Sequence, residues 1–147
     1  MSQKDFDKKI NSLLSHTVPL VNENDLKSSF ASEPILLDTR SLKEFEVSHL
    51  KGARFIDYEH FNPEMVSDID KNKSVVLYCS VGYRSEKIGE KLQELGFKNV
   101  YNLYGGIFDW KNKDNAVVNQ NNIETDSVHT YNKNWSKWLK RGVKVYE

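Results

Sequence analysis

Residues 74–85 read Ser74-Val75-Val76-Leu77-Tyr78-Cys79-Ser80-Val81-Gly82-Tyr83-Arg84-Ser85, and they hold the only cysteine of the chain. The apolar run 75–78 predicts a strand, and the residues from Glu86 to Leu95 carry a helical pattern. A strand that feeds a tight loop opening into a helix aims successive backbone N–H groups at one point. The helix dipole adds positive potential there, so the point suits an anion. A cysteine at the mouth of such a loop is expected as thiolate, its nucleophilic form.

Outward from this unit the chain repeats the same alternation. Ile35-Leu36-Leu37-Asp38 is a second unbroken apolar run, as a strand covered on both faces of a parallel sheet requires. Residues 53–56 and 100–103 supply two more strands. Val18-Pro19-Leu20-Val21 predicts a brief edge strand, since proline donates nothing to a ladder. Between them lie helices. Residues 4–15 place Phe6, Ile10, Leu13 and Leu14 on one face, and Asn22 caps a short helix bearing Leu26 and Phe30. Ser41-Leu42-Lys43-Glu44 has the capping-box pattern and starts a helix with Phe45 on its apolar side. A polar helical stretch covers 63–69. The helix after the loop repeats Ile88, Leu92 and Leu95 and stops at Gly96, while Glu86, Lys87, Glu90, Lys91 and Glu94 read as its solvated face. A short helix, 107–110, follows Gly105-Gly106 and places Trp110 in the core. Strands alternating with helices predict an α/β fold, a parallel sheet with right-handed crossovers.

Residues 111–134 are polar and Asn-rich, with Val117, Val118, Ile123 and Val128 as anchors. Trp135, Trp138 and Leu139 then stand at i, i+3 and i+4 and predict a final helix packed back on the body, because two tryptophans on one face are costly to leave in water.

Composition narrows the classes. A chain of 147 residues predicts one domain, 1–147, burying roughly 70% of its unfolded surface. Zero net charge gives no footprint for nucleic acid, and a single cysteine excludes an internal disulfide framework. No Cys/His cluster has zinc spacing, so no metal or cofactor is expected. The N-terminus lacks a signal-peptide apolar core, and no run approaches the roughly 18–20 apolar residues of a membrane span. The expectation is a cytoplasmic protein without membrane or nucleic-acid partners.

Four stretches together resemble the rhodanese family of sulfurtransferases. They are Leu36-Leu37-Asp38-Thr39-Arg40 with Glu44-Phe45; Ser48-His49-Leu50-Lys51-Gly52-Ala53, with serine where the family usually has glycine; the loop from Val76 through Ser85; and Gly96-Phe97, Asn99-Val100, Gly105-Gly106-Ile107 and Trp110. The resemblance implies an open five-stranded parallel sheet with helices on both faces over a core at 17–113. An N-terminal helix and a C-terminal extension, 114–147, would lie outside it. It also implies a chemistry. Cys79 takes a sulfane sulfur from thiosulfate or a persulfide donor and hands it to a thiol, free or protein-borne, or to cyanide. A covalent intermediate predicts ping-pong kinetics.

The loop fits that chemistry. Gly82 permits a turn that other residues resist, and the N–H groups of Ser80, Val81, Gly82, Tyr83 and Arg84 would face the sulfur. Arg84 would bind an oxyanion, Tyr83 would line the rim, and Ser85 would cap the helix or donate to the sulfur. Four residues separate Cys79 from Arg84, whereas cysteine phosphatases use five, whose wider cradle takes a tetrahedral phosphate. Ser80, Val81 and Tyr83 add no further positive charge, which weighs against thiosulfate. Asp38 is expected as a structural acceptor supporting the loop, Arg40 as a support that could pair with Glu44, and His49 as a fixed turn residue. His16, His60 and His129 carry no functional expectation. A catalytically quiet partner-binding module and, more remotely, a cysteine phosphatase are the competing readings.

Overall fold

The computed structural model describes residues 2–146. Five strands form one sheet: β1 (Leu20–Val21), β2 (Ile35–Asp38), β3 (Arg54–Phe55), β4 (Ser74–Tyr78) and β5 (Asn99–Leu103), in the order β1-β5-β4-β2-β3. Every pairing in it is parallel. The helices are α1 (Gln3–Leu13), α2 (Glu23–Ser28), α3 (Leu42–Val47), α4 (Tyr83–Glu94) and α5 (Gly106–Asn112). The open parallel α/β sheet predicted from the sequence is present. β1 pairs only with β5 and lies at the edge, where Pro19 is tolerated.

The middle strand explains why its run shows no alternation. Residues 75–78 are all fully buried, because both faces of β4 are covered. The pleat sends Val75 and Leu77 to one face, where they meet Ile88 and Leu92 of α4. It sends Val76 and Tyr78 to the other, where they meet Phe6 and Ile10 of α1 and Ile107 and Phe108 of α5. Helices on both faces therefore follow from the strand's own composition.

Local signals placed the helix starts. Asn22 caps α2, and Ser41 forms the capping box of α3 with Glu44. The stretch expected as helical over 63–69 is a single 3-10 turn, Pro63–Val66, capped by the Asn62 side chain.

Glu86 corrects the reading of α4. It does not lie on a solvated face but is completely buried, and its carboxylate accepts the N–H groups of Ser15 at 2.8 Å and His16 at 2.9 Å. Those two groups end the segment leaving α1, where His16 adopts a left-handed φ of 58°. The charge pattern of a helix cannot reveal a partner about seventy residues away.

The C-terminal segment is more strand-like than its composition predicts. β6 (Val117–Val118) pairs antiparallel with β7 (Glu124–Thr125), and β8 (Ser127–His129) pairs parallel with β9 (Val143–Val145). Between the latter two lies α6 (Lys133–Ser136), a single turn rather than the helix through Leu139. Trp138 and Leu139 stand beyond it and are nonetheless buried against α1 and α5; the rings of Phe6 and Trp138 lie 5.8 Å apart. Val117, Val118 and Val128 are buried anchors, but Ile123 is 61% exposed at the β6–β7 turn. β8 lies against α3, which brings this segment to the C-terminal edge of the sheet. Among the described residues no helix is long and apolar enough to cross a membrane.

Because Trp138 belongs to the main core, Trp138→Ala is expected to lower the unfolding free energy by about 3–5 kcal/mol in urea titrations. A loss below about 1 kcal/mol would mean that the segment is only loosely attached.

Candidate active site

The site grows from the end of β4. Parallel strands present their carboxyl ends to one crevice, and Cys79 is the first residue past Tyr78. Two carbonyls of the loop are tied down from behind. The N–H of Ile107 donates to the Cys79 carbonyl at 2.9 Å, and that of Phe108 to the Ser80 carbonyl at 3.2 Å. Gly106, with φ of 56°, allows this approach, since a Cβ there would lie 2.4 Å from the Cys79 carbonyl oxygen. The Gly105-Gly106 pair thus serves the loop as well as ending a strand.

With the carbonyls held, the loop turns at Gly82, whose φ of 124° no bulky residue adopts comfortably. The Gly82 N–H donates to Cys79 Sγ at 3.1 Å. Of the five N–H groups expected to face the sulfur, this is the one bonded to it among the described residues. Ser85 Oγ lies 3.5 Å from Sγ but only 2.6 Å from Asn102 Oδ1. Asn102 Nδ2 donates to the Gly82 carbonyl at 3.0 Å, so Oδ1 must receive the Ser85 hydroxyl proton. Ser85 consequently turns a lone pair toward the sulfur and can accept from a thiol. Asn102, on β5, was invisible in the sequence because it sits inside an apolar run.

Arg84 does not stand free for an oxyanion. Its Nη1 and Nη2 bind Glu44 Oε1 and Oε2 at 2.9 and 3.0 Å, and Nη2 also reaches Ser80 Oγ at 3.0 Å. The fork is bidentate and largely buried, with Glu44 wholly enclosed. Burial alone would raise the Glu44 carboxyl, but the hydrogen bonds and charge of Arg84, the charge of Arg40 and the Ser41 N–H hold it down at about 2. Burial would likewise lower Arg84, yet Glu44 keeps it above its ordinary value. The outer face of the guanidinium is covered by Tyr131, 5.3 Å from its ring centre.

Asp38 and Arg40 lie behind the loop, outside the cavity wall. Arg40 pairs with Asp38, Nη2 to Oδ2 at 2.7 Å, rather than with Glu44, and donates to the Ser48 carbonyl at 2.6 Å. Glu44 is committed to Arg84, which leaves the nearer carboxylate for Arg40. His49 stacks on Phe45 at 3.8 Å, and its backbone pairs with Val118.

Cys79, 2% exposed, lies on the wall of a cavity of about 790 Å3. Ser80, Val81, Tyr83 and Arg84 line it with Glu44. Sequence reasoning missed the opposite wall, His129, Tyr131, Trp135 and Tyr146, which the C-terminal segment contributes. His129 Nδ1 accepts the Tyr131 N–H at 3.1 Å, and burial holds the imidazole below its ordinary value. Among the described residues no group of His, Cys, Asp and Glu could hold a metal ion.

Residues 22–113 match the rhodanese-like domain family, and the chain belongs to that family. A tRNA uridine(34) hydroxylase of Cytophaga hutchinsonii is 41% identical over 80 residues, 52% of this chain and 26% of that protein. One from Pectobacterium atrosepticum is 30% identical over 99 residues, 63% of this chain and 28% of its own length. The chain thus spans about a quarter of these relatives. Among solved structures, a Bacillus halodurans protein aligns with a TM-score of 0.61 at 21% identity, over 79% of this chain and 85% of that one. The rhodanese-like domain of an Anabaena protein aligns at 0.62 and 22% identity, over 69% and 79%. These two share the fold.

The low value of Glu44 fixes a pH window. A carboxyl whose folded value lies below its unfolded one contributes stability above about pH 4.5, lost as pH falls toward about 2. The wild type is expected to lose on the order of 3 kcal/mol across that window through Glu44. Urea unfolding from pH 6 to 2 should show the decline, and Glu44→Gln should flatten it. Parallel curves for the two proteins would contradict the assignment.

Proposed function

We propose that this chain is a sulfurtransferase with Cys79 as the sulfur carrier. The observation that supports it most is a single thiol, bonded by the Gly82 N–H, on the wall of a cavity of about 790 Å3. In the first half-reaction the Cys79 thiolate attacks the sulfane sulfur of a donor. The Sγ–S bond forms, the donor's S–S bond breaks, and the donor remnant (sulfite from thiosulfate, a thiolate from a persulfide) leaves with the electron pair. In the second, an acceptor thiolate or cyanide attacks the outer sulfur and Cys79 leaves as thiolate. Gly82 would stabilise the sulfur through its N–H, and Ser85 would hold the thiol before it ionises. Asp38 and Arg40 would act only by fixing the turn behind the loop. The segment 114–147 would work with the core 17–113 as one unit, as its residues in the cavity wall suggest.

The tRNA in the relatives' name is left to those much longer proteins, since a net charge of zero offers no basic footprint for an RNA backbone. The phosphatase reading is disfavoured by the four-residue spacing and by Glu44 occupying the arginine. The partner-binding module keeps one observation in its favour, the exposed apolar residues at the cavity rim.

Incubation with inorganic polysulfide, followed by intact-mass measurement, tests the proposal. The wild type should gain the mass of one sulfur atom and Cys79→Ala none, and cyanide should then release thiocyanate. No adduct would favour the binding module, and phosphate-ester hydrolysis lost in Cys79→Ser would favour the phosphatase.

A further inference from the structure

The cavity says more about the donor than the loop does. It is lined by two cations, Lys43 and Arg84, against three carboxylates, Glu44, Asp57 and Glu59. Arg84 is already neutralised by Glu44 and faced by Tyr131. A small dianion therefore meets no free, fixed positive charge beside Cys79. The volume of about 790 Å3 is also far larger than such an anion needs, and falls in the range of roughly 300–1,000 Å3 typical of organic ligands.

The walls are apolar where they face outward. Six large hydrophobic residues are exposed among the described residues, and four of them, Leu42, Tyr83, Tyr131 and Tyr146, line this one cavity. Scattered exposure is ordinary, whereas concentration around a reactive group marks a binding surface. Backbone strain adds an independent sign. Among the described residues the non-glycine ones with positive φ are His16, Asp114, Asn122 and Tyr131. Asp, Asn and His tolerate that region; a tyrosine at 72° is strained there. What the strain achieves is to set the Tyr131 ring over Arg84, in the cavity wall.

We propose that the donor is a low-molecular-weight organic persulfide whose organic group is apolar or aromatic and carries no net negative charge. Tyr131, Trp135 and Tyr146 hold that group against Leu42 and Tyr83. The proposal rests on the sulfurtransferase reading and specifies its substrate. The Cys79 thiolate attacks the outer sulfur of R–S–SH, the Sγ–S bond forms as the donor S–S bond breaks, and R–S⁻ departs with the electron pair. The proton stays on the transferred sulfur, and no outside oxidant is needed.

The full chain is loaded with benzyl persulfide, thiosulfate or inorganic polysulfide, and kcat/KM for loading is read from quenched samples by intact mass. Benzyl persulfide should exceed thiosulfate by about a hundredfold. In Tyr131→Ala and Tyr146→Ala, the ratio of benzyl persulfide to inorganic polysulfide should fall by about tenfold. Both side chains are exposed, so these variants are expected to fold, which thermal melts check. Thiosulfate matching benzyl persulfide, or an unchanged ratio in both variants, would overturn the proposal while leaving the carrier role of Cys79 intact. No loading by any of the three donors would remove the carrier role and the proposal with it.

Discussion

A fully enclosed carboxylate must find donors or a cation, and in this chain Glu44 finds Arg84. The pair joins the first turn of α3 to the first turn of α4, across the carboxyl ends of β2 and β4. A buried pair adds little net stability over an apolar substitute, but losing one partner strands a charge and is costly. Its value is therefore positional. Ser80 is bound to both members, so the pair sets the outer half of the loop, while Ile107 and Phe108 fix the inner half through two carbonyls. Between these restraints Gly82 is left to turn its N–H onto the sulfur.

The same pair decides the electrostatics of the cavity. An arginine beside a reactive cysteine would ordinarily recruit an oxyanion, yet here the charge is spent internally and then covered by Tyr131. Aromatic residues from the C-terminal segment complete the wall. The cavity beside Cys79 is thereby left with more aromatic surface than free positive charge.

Much of this was legible in the sequence, for identifiable reasons. Residues 75–78 declare a strand covered on both faces, Ser41 and Asn22 declare helix starts, and Cys79 with Gly82 declares the loop; each signal is local. What stayed hidden depends on partners distant along the chain. Glu86 looked like surface charge because its ligands, the N–H groups of Ser15 and His16, belong to another element. Arg84 looked free because Glu44 lies forty residues earlier and reads locally as a cap and as a partner for the nearer Arg40. Tyr131 and Tyr146 follow strands of three residues, too short to show any period, and the helical spacing of Trp135 pointed to packing on the body rather than to the cavity. Their place in the cavity wall follows from Trp138 and Leu139 docking on the core, not from their own pattern.

The most direct test is a double-mutant cycle between Glu44 and Arg84, using Glu44→Gln, Arg84→Met and the double variant, with stability from urea unfolding at pH 7. Each single variant strands a partner, so the account predicts a coupling energy of about 2–3 kcal/mol, with the double variant more stable than the two losses sum to. Additivity within about 0.5 kcal/mol, the behaviour of an exposed pair, would contradict it.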